Sequence, residues 1–279
     1  MQPFRITPAR PPAAPILFDS PHSGRDCPSD FGAAAPLTQL RRAEDAYVDE
    51  LIEGAAQYGI STLLATIARC YIDLNRAEDD VDPALLEDPV PGWAPSEKSI
   101  RGLGLIREFV VPGIRVYDRK LQSAEVRRRI AHCYRPYHEA LDRLVREMRA
   151  EHGGILHVDW HSMKSVGNAM TPDGDGAARP DFVVGDVRGT SAGRSVTEMV
   201  VGLLREADFT VAVNEPYAGG RIVKRIGDPA AGVHSIQIEI NRGLYLDEAA
   251  VTKNAGFRPL RGALGRFAER LATELVIPG

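Results

Sequence analysis

The chain of 279 residues is long enough to bury a large hydrophobic core, and its length fits one large α/β domain or two modest ones. A composition that is 44% hydrophobic and 26% charged excludes an intrinsically disordered protein. The formal net charge of -4 argues against a general nucleic-acid-binding protein, but it allows a local basic pocket for a small anion.

The cysteines and the N-terminus bear on redox chemistry and location. Cys27, Cys70 and Cys133 are far apart and form no CxxC pair, so we expect no disulfide framework and no thiolate zinc site. We expect all three to be small buried apolar residues. Residues 1–10 lack the apolar segment of a signal peptide, and no apolar run approaches the ~20 residues of a membrane span. A soluble cytoplasmic protein without a membrane partner is therefore expected.

The first half of the chain alternates between strand and helix patterns. Apolar runs predict strands, and apolar residues at helical spacing predict a helix. In chain order, the predicted elements are a strand at 16–18, a helix at 44–58 that Gly59 ends, and strands at 61–66 and 70–74. The stretch 77–99 is acidic and rich in proline, and we interpret it as a long loop or lid because regular patterns resume after it.

The second half continues this alternation. Its predicted elements are a long helix at 119–151 that Pro136 kinks or splits, strands at 155–160 and 181–186, a helix at 196–204, strands at 209–213 and 235–240, and a last helix at 260–275. Alternating strands and helices predict an α/β fold with a largely parallel or mixed sheet. The sequence shows no internal repeat, and we predict a single domain over residues 1–279.

Four of the predicted strands end in clusters of polar residues. The clusters lie at residues 22–24, 73–76, 159–162 and 239–242. Because ligands of open α/β sheets bind outside the carboxyl ends of the strands, we expect these clusters to converge on one cleft. Two imidazoles and one carboxylate are a usual ligand set for catalytic zinc, with a fourth position left for water. A histidine alone is more often a hydrogen-bonded structural residue, so the prediction depends on the convergence.

The spacing of polar and apolar residues supports some candidate site residues better than others. His157 and His161 would share one face of a strand, but only His161 lies at the carboxyl edge, so we expect His157 in the core or behind the ligands. Asp45 lies in the first turn of its predicted helix, where a plain cap would also explain a carboxylate. Glu239 and Gln237 alternate with apolar residues, and an inward-facing carboxylate is costly unless a charge compensates it.

Eight short segments, in order between about residue 15 and residue 248, carry the motifs of one family. They are SPHSG at 20–24, DAYVD at 45–49, YIDLNR at 71–76, GLGLI at 102–106, DWHSM at 159–163, RPD at 179–181 through GT at 189–190, NEPYAGG at 214–220, and GVH at 232–234 through Arg242. Each motif alone is weak, whereas the ordered set is specific. On these segments the chain resembles the N-formylglutamate amidohydrolases, which are distantly similar to aspartoacylase and the zinc carboxypeptidases.

The resemblance implies a three-layer αβα fold of the zinc-peptidase and phosphorylase–hydrolase kind, with a mixed, largely parallel central sheet and one Zn²⁺ at its carboxyl edge. Carried over onto this sequence, the implied zinc ligands are His22, Asp45 and His161. Asp49 is the reserve for Asp45. A carboxylate from this region is needed because the distant relatives have a glutamate ligand three residues after the first histidine, where this chain has Arg25.

The resemblance also implies the chemistry. Glu239 matches the general base, and Asn75 with Arg76 match the pair that binds a substrate carboxylate. The implied reaction is zinc-dependent hydrolysis of the amide bond of an N-acyl amino acid, with N-formyl-L-glutamate giving formate and L-glutamate as the first choice. Arg242 and Arg225 are both candidates to hold the oxyanion, and the sequence does not rank them.

Other interpretations stay open. Tyr217 can add a hydrogen bond to the substrate, although a core tyrosine explains it equally. Lys224-Arg225 stands where relatives often have an Arg-His pair, so the same machinery could act on another N-acyl amino acid or a short peptide. A non-catalytic small-molecule-binding protein is the third reading, against which Glu239 argues because a binding module needs no general base. The expected partner is a small anionic molecule rather than nucleic acid, and a homo-oligomer stays open.

Overall fold

Runs of β-branched and aromatic residues form a central sheet in the computed structural model, which describes residues 2–167, 171 and 173–277. Over these residues, the strands in chain order are β1 (Phe4–Thr7), β2 (Ile16–Ser20), β3 (Ser61–Ala65), β4 (Phe109–Val111), β5 (Ile114–Arg115), β6 (Ile155–Met163), β7 (Phe182–Gly185), β8 (Val211–Val213), β9 (Val233–Asn241), β10 (Leu246–Asp247) and β11 (Thr252–Lys253). The pairs β4–β5 and β10–β11 form two small antiparallel ribbons outside the central sheet.

Amphipathic segments form the helices that cover the sheet. In chain order they are α1 (Leu37–Leu40), α2 (Val48–Ile52), α3 (Glu97–Ile100), α4 (Ser123–Arg129), α5 (Arg135–His152), α6 (Arg194–Glu206), α7 (Arg221–Ile226) and α8 (Phe257–Glu274). A π-helical turn, Ile130–Tyr134, joins α4 to α5 just before Pro136. Because proline lacks a backbone N–H, it disturbs the helix at this point, as the sequence predicted.

The central sheet is mixed and largely parallel, as predicted. Its strand order is β1-β3-β2-β6-β9-β7-β8. Strands β3, β2, β6 and β9 run parallel, whereas β1 is antiparallel to β3, and β7 is antiparallel to β9. The carboxyl ends of four neighbouring strands therefore meet at one edge of the sheet.

The two long central strands, β6 and β9, alternate between apolar and polar side chains. One face packs against α2, α6 and α8 and is apolar, through Leu156, Val158, Trp160, Ile236, Ile238 and Ile240. The other face lies towards α5 and α7 and is largely polar, through His157, Asp159, His161, Ser235, Gln237 and Glu239. Helices on both sides of the sheet give the expected three-layer αβα architecture, and one of the two interfaces is a buried row of polar groups.

The predicted strand at 70–74 is wrong. The chain turns there, since the backbone N–H of Tyr71 donates to Ala68 O, and no strand includes these residues. Cys70, Ile72 and Leu74 are nevertheless buried. A loop that runs through the core is apolar for the same reason as a core strand, so a short apolar run does not distinguish the two.

The predicted helix at 44–58 begins later than expected. Tyr47 has a left-handed φ of 63°, and α2 starts after it at Val48. The helix continues as the 3₁₀ segment Glu53–Tyr58 and ends at Gly59, whose φ of 82° is the conformation expected of a C-terminal glycine. Strands β1, β4, β5, β10 and β11 and helices α1, α3 and α7 were not predicted.

The remaining expectations concern the 77–99 loop, the membrane and the cysteines. Residues 77–99 contain the 3₁₀ segment Pro83–Leu85 and the start of α3, and are otherwise irregular. None of the helices in the described parts of the chain combines the length and apolar character needed to cross a membrane. Cys70 and Cys133 are buried free thiols as expected, whereas Cys27 is only partly buried.

Candidate active site

The carboxyl ends of the parallel strands bring the predicted polar clusters together. In the β6–β9 register, His161 lies beside Glu239. His22 lies just beyond the end of β2, which is the other neighbour of β6. All three side chains are buried and line one cavity.

Three buried donor atoms face one another at this edge: His22 Nδ1, His161 Nδ1 and Asp45 Oδ2. The two nitrogens are 3.0 Å apart, and Asp45 Oδ2 lies 2.9 Å from His161 Nδ1 and 3.5 Å from His22 Nδ1. Ligand atoms at ~2.0–2.2 Å from a tetrahedral zinc ion are roughly 3.3–3.6 Å apart. The triangle therefore fits a small divalent cation with little adjustment.

The opposite nitrogen of each imidazole faces a buried carboxylate. His22 Nε2 lies 2.6 Å from Asp73 Oδ1, and His161 Nε2 lies 2.9 Å from Asp159 Oδ1. For His22, an N–H at Nε2 can therefore donate to Asp73, which leaves the Nδ1 lone pair for a metal ion. Asp159 faces His161 as a buried charge, since its Oδ1 accepts no hydrogen bond from the described residues. Metal-binding histidines are commonly oriented by such a carboxylate, because the second hydrogen bond fixes the tautomer.

Asp45 reaches this cluster from the turn before α2, and not from the first turn of a helix as the sequence predicted. Its backbone N–H donates to His22 O at 3.0 Å, and Arg242 Nη2 donates to Asp45 Oδ1 at 2.9 Å. Asp49 lies away from the cluster and pairs with Arg25 at 3.4 Å. Of the two carboxylates that the sequence left open, the fold brings Asp45 to the histidines.

Charges around the cluster favour an ionised carboxylate and a cation. Burial raises the pKa of the Asp45 carboxyl, but hydrogen bonds from His161 and His22 outweigh burial and hold that pKa well below its usual range. Burial and the Arg69 guanidinium lower the pKa of His22. Burial also lowers the pKa of His161, but the carboxylates of Asp159, Asp45 and Glu239 together outweigh burial and raise that pKa well above its usual range. A metal ion at His161 Nδ1 therefore has to displace a proton.

Glu239 lies beside His161 and is positioned by Gln237. Gln237 Nε2 donates to Glu239 Oε1 at 2.9 Å, and Gln237 Oε1 accepts from the Gly220 backbone N–H at 2.6 Å. Burial raises the pKa of Glu239 to about 7; the Asp45 carboxylate adds to this effect and His161 opposes it. A carboxyl group with this pKa can both accept and donate a proton near neutral pH.

The cluster opens into a cavity of about 440 Å³. The described residues of its wall include many more cations than carboxylates. The cations are Arg42, Arg69, Arg76, Lys98, Arg101, Arg107, Lys164, Arg179 and Arg242. The carboxylates are Asp45, Glu97 and Glu239. A cationic cavity in a protein with a net charge of -4 is suited to a small anion.

The predicted carboxylate-binding pair, Asn75 and Arg76, lines this cavity. The amide of Asn75 is used within the protein: Nδ2 donates to Asp159 Oδ2 at 3.1 Å and lies 2.9 Å from His161 Nε2, and Oδ1 accepts from Ile222 N–H at 2.8 Å. Arg76 donates to two backbone oxygens through Nε and Nη1. Its Nη2 makes no hydrogen bond within the described residues, so Arg76 is the member of the pair that can reach a ligand.

The two arginines predicted to hold the oxyanion are placed differently. Arg242 lines the cavity, and its guanidinium donates to Asp45 Oδ1 and Ser162 Oγ. Arg225 is not part of the cavity wall, because α7 directs its side chain towards α5, where it pairs with Asp142. The fold therefore brings Arg242 to the site and leaves Arg225 outside it.

The structure also locates Tyr217 and His157, which the sequence analysis had considered. Tyr217 lines the cavity with the Arg179 guanidinium 5.2 Å from its ring centroid, and burial raises the pKa of Tyr217 to about 12, so its hydroxyl stays a hydrogen-bond donor. His157 is in the core, as expected, with Nε2 2.9 Å from Asp19 Oδ1 and Nδ1 2.8 Å from Ser235 Oγ.

Arg69 was not predicted, and it links the cluster of His22, Asp45 and His161 to the cavity wall. Nη2 donates to Asp73 Oδ2 at 2.9 Å and Nη1 donates to Asp45 Oδ1 at 3.4 Å. Its buried Nε has no hydrogen-bond partner among the described residues. The sequence held a signal, because Arg69 is the one charge in the apolar run 63–72, and a buried charge requires a partner.

The comparisons with known proteins agree with this geometry. The family model for N-formylglutamate amidohydrolase matches residues 14–246. The N-formylglutamate deformylases of Pseudomonas putida and Pseudomonas aeruginosa are both 29% identical to this chain, covering 84% and 85% of it and 82% and 84% of their own lengths. The crystal structure of N-formylglutamate amidohydrolase from Ralstonia eutropha JMP134 is similar with a TM-score of 0.91 and 40% identity, covering 98% of both chains. The chain therefore belongs to the N-formylglutamate amidohydrolase family.

Proposed function

We propose that the protein hydrolyses the amide bond of N-formyl-L-glutamate to formate and L-glutamate, with one zinc ion as cofactor. The observation that carries this proposal is the triangle of His22, Asp45 and His161 beside Glu239 in a cationic cavity. Membership of the family and two relatives named N-formylglutamate deformylase support the choice of substrate.

The donor set favours zinc over the other common divalent cations. Two imidazole nitrogens and one carboxylate oxygen are typical of catalytic zinc sites, whereas magnesium and calcium prefer oxygen ligands. His22, Asp45 and His161 would hold the ion. When bound, zinc supplies a Lewis acid that polarises the amide carbonyl and makes water a better nucleophile at neutral pH.

Glu239 moves the protons of the reaction. Its carboxylate accepts a proton from the attacking water and delivers it to the amide nitrogen as the C–N bond breaks, which yields formate and the free amine of L-glutamate. A pKa of about 7 suits both transfers. The hydrogen bond from Gln237 to Oε1 holds the carboxyl group in one orientation. General acid–base catalysis of this kind contributes about 10²–10⁴-fold.

Arg69 is the arginine best placed for the negative charge that develops on the acyl oxygen. Arg69 lines the cavity, and its Nη1 donates to Asp45 Oδ1 at 3.4 Å, so its positive charge lies beside the atoms where the oxyanion would develop. Arg242 has the different task of holding Asp45, because its guanidinium already donates to Asp45, Ser162 and a backbone carbonyl.

Arg76 binds a carboxylate of the substrate. A guanidinium offers paired donors that match the two oxygens of a carboxylate. Asn75 donates to the Asp159 carboxylate, which lies 2.9 Å from His161 Nε2, and accepts from the Ile222 N–H at the start of α7, so it supports the site from behind. The formyl group is small, so specificity resides in the part of the cavity that receives the amino acid. Because Arg225 is not part of the cavity wall, the Lys224-Arg225 departure gives no support to a different substrate.

Zinc content and formate release test the proposal together. We expect purified protein to contain roughly one zinc ion per chain by plasma mass spectrometry, as one ligand triangle requires. It should release formate from N-formyl-L-glutamate in a coupled formate dehydrogenase assay.

The variant His161→Ala is expected to lose both zinc and activity, because it removes one of three ligands. His132→Ala is the matched control, since His132 is exposed on the surface and should keep both. Activity that survives in His161→Ala would reject the ligand set.

A further inference from the structure

The cavity wall beside the metal cluster carries more positive charge than its neighbours neutralise. Arg69, Arg76 and Arg107 approach a single buried carboxylate, Asp73, at 2.9, 4.0 and 3.9 Å. Lys98 lines the same cavity. Arg69 also pairs with Asp45 at 3.4 Å. Two carboxylates among these four cations still leave a net positive patch on the wall, which an anionic ligand can neutralise.

Arg107 is built into this wall. Its side chain is 9% exposed, and the guanidinium is held by two backbone carbonyls, with Nε donating to Phe109 O and Nη2 to Val110 O, both at 3.2 Å. Nη1 makes no hydrogen bond in the described part of the chain and lies too far from Asp73 Oδ2 for one. A buried guanidinium is costly unless an anion pairs with it, so its placement at the cavity indicates an anionic ligand.

The cations of the wall act on one another. The Arg76 guanidinium lowers the pKa of Lys98 to about 8. Burial lowers the pKa of Arg107 to about 10, and the Arg69 guanidinium adds to this effect. Lysine and arginine pKa values below their usual range are the effect of positive neighbours and burial, and a carboxylate between these cations would reverse it.

The wall is close to the chemistry. Asp73 Oδ1 lies 2.6 Å from His22 Nε2, while Asp73 Oδ2 faces Arg69, Arg76 and Arg107. Asp73 therefore separates the metal cluster from Arg76 and Arg107, whereas Arg69 contacts Asp45 of the cluster directly. A substrate whose amide lies at the cluster can place its acidic groups against this wall.

We propose that Arg107 and Lys98, beside Arg76, form a second anion subsite that receives the side-chain carboxylate of an N-acyl dicarboxylic amino acid. This inference rests on the proposed function, in which Arg76 takes the α-carboxylate. Lys98 is exposed, whereas Arg76 and Arg107 are largely buried. The side chain of the bound amino acid therefore extends from Arg76 towards Lys98. The subsite selects N-formyl-L-glutamate over N-formyl-L-glutamine, which has the same shape and no side-chain charge.

Calorimetric titration of the zinc-loaded Glu239→Gln protein tests the subsite without turnover. The dissociation constant is expected to be roughly tenfold or more higher for N-formyl-L-glutamine than for N-formyl-L-glutamate, because the site is built for a charged acceptor. Adding Lys98→Met should reduce this ratio by about fivefold or more, and Lys98→Arg should restore most of it. Lys120→Met is the matched control, since Lys120 is exposed and lies outside the cavity wall, and it should leave the ratio unchanged.

A ratio that Lys98→Met does not change would remove Lys98 from the subsite, and an initial ratio near one would overturn the inference as a whole. Arg107→Lys keeps a positive charge on the wall and should lower the ratio less than Arg107→Gln. If Arg107→Gln does not fold, the comparison of Lys98→Met with Lys98→Arg still tests the subsite.

The experiments give different results if the proposed hydrolysis is wrong and if the proposed subsite is wrong. Wild-type protein that binds the two compounds with the expected ratio but releases formate from neither would reject hydrolysis and keep the subsite. Formate release from both compounds with equal kcat/KM, together with equal binding, would keep hydrolysis and reject the subsite.

Discussion

The Glu239 carboxyl group has a raised pKa and a fixed orientation, the two properties that a general base needs. Glu239→Gln keeps the size of the side chain but removes the proton acceptor. We expect kcat to fall by about 10²–10⁴-fold, with KM and zinc content close to those of the wild type. Steady-state formate release and metal analysis measure these quantities.

The control for this variant is Glu215→Gln. Glu215 pairs with Arg188 on the surface, where both side chains are exposed, so the same chemical change there should leave kcat unaltered. If Glu239→Gln turned over N-formyl-L-glutamate at the wild-type rate, proton transfer would have to be assigned to another group.

At the scale of residues, the sequence could predict side chains that strand ends bring together. His22, His161 and Glu239 follow or end apolar strands, and parallel strands share their carboxyl edge, so their convergence was predictable. Asp45 was ambiguous because its place depends on the left-handed backbone at Tyr47, which no pattern indicates. The resemblance to a family, rather than periodicity, selected it.

Helix α7 is held against the site by the glycines that precede it. A Cβ at Gly220 would lie 2.5 Å from Asn75 Nδ2 and 2.7 Å from Asn75 Oδ1, and the Gly220 N–H donates to Gln237. Gly220→Ala must therefore displace Asn75, which holds the Asp159 carboxylate beside His161, or move the backbone that holds Gln237. We expect kcat/KM for N-formyl-L-glutamate to fall by about tenfold or more, since a small misplacement in an active site has a large effect on rate.

Gly202→Ala is the matched control. Gly202 lies inside α6, and a Cβ there meets no atom within 4 Å, so alanine should raise helix stability by up to about 1 kcal/mol and leave the rate unchanged. Equal kinetic effects of the two substitutions would show that Gly220 does not position the site.

Helix α5 contacts the loop before the site through a neutral histidine. The N–H of His138 Nε2 donates to Leu74 O at 2.9 Å, and His138 Nδ1 accepts from Arg225 Nη2 at 3.0 Å. Burial, with the Arg225 guanidinium, lowers the pKa of His138 to about 4. The unfolded chain, with an ordinary histidine pKa, therefore binds a proton before the folded chain does, and stability is lost as the pH falls from about 6.5 towards about 4.

His138→Gln should remove this part of the acid sensitivity. Between pH 7 and pH 5, the wild type is expected to lose roughly 1–2 kcal/mol more unfolding free energy than the variant. Urea unfolding at the two pH values measures the difference. Equal losses in both proteins would mean that His138 is protonated in the folded state without cost.

At the scale of elements, helices and strands could be predicted where the spacing of apolar residues alone determines the local structure. The long helices and the strands β6 and β9 have clear periods and were predicted, whereas the buried loop at 70–74 has the composition of a strand. Lys98 lies in α3, a helix of a single turn, and Arg107 lies in the irregular segment between α3 and β4, so no periodicity in the sequence could place them on the cavity wall. The charge excess of that wall is visible only in three dimensions.

The candidate metal site brings together three parts of the chain that are far apart in sequence. His22, Asp45 and His161 come from the end of β2, the turn before α2, and β6. A metal ion that binds the folded chain and not the unfolded one stabilises the fold by an amount that grows with its concentration, about 2.7 kcal/mol at 100 times the dissociation constant. Under the proposed function, zinc bound by these three residues should therefore contribute to global stability as well as to catalysis.

Removal of zinc should accordingly lower the melting temperature. For a chain of this length, about 2.7 kcal/mol corresponds to a decrease of roughly 5 °C, measured by differential scanning calorimetry before and after treatment with a chelator. Zinc should restore the original Tm, whereas magnesium should not, because the imidazole nitrogens disfavour it. In His161→Ala the chelator should have no effect, since the ligand set is already incomplete. A wild-type Tm that is independent of zinc would mean that the two imidazoles and Asp45 are held together by a proton alone.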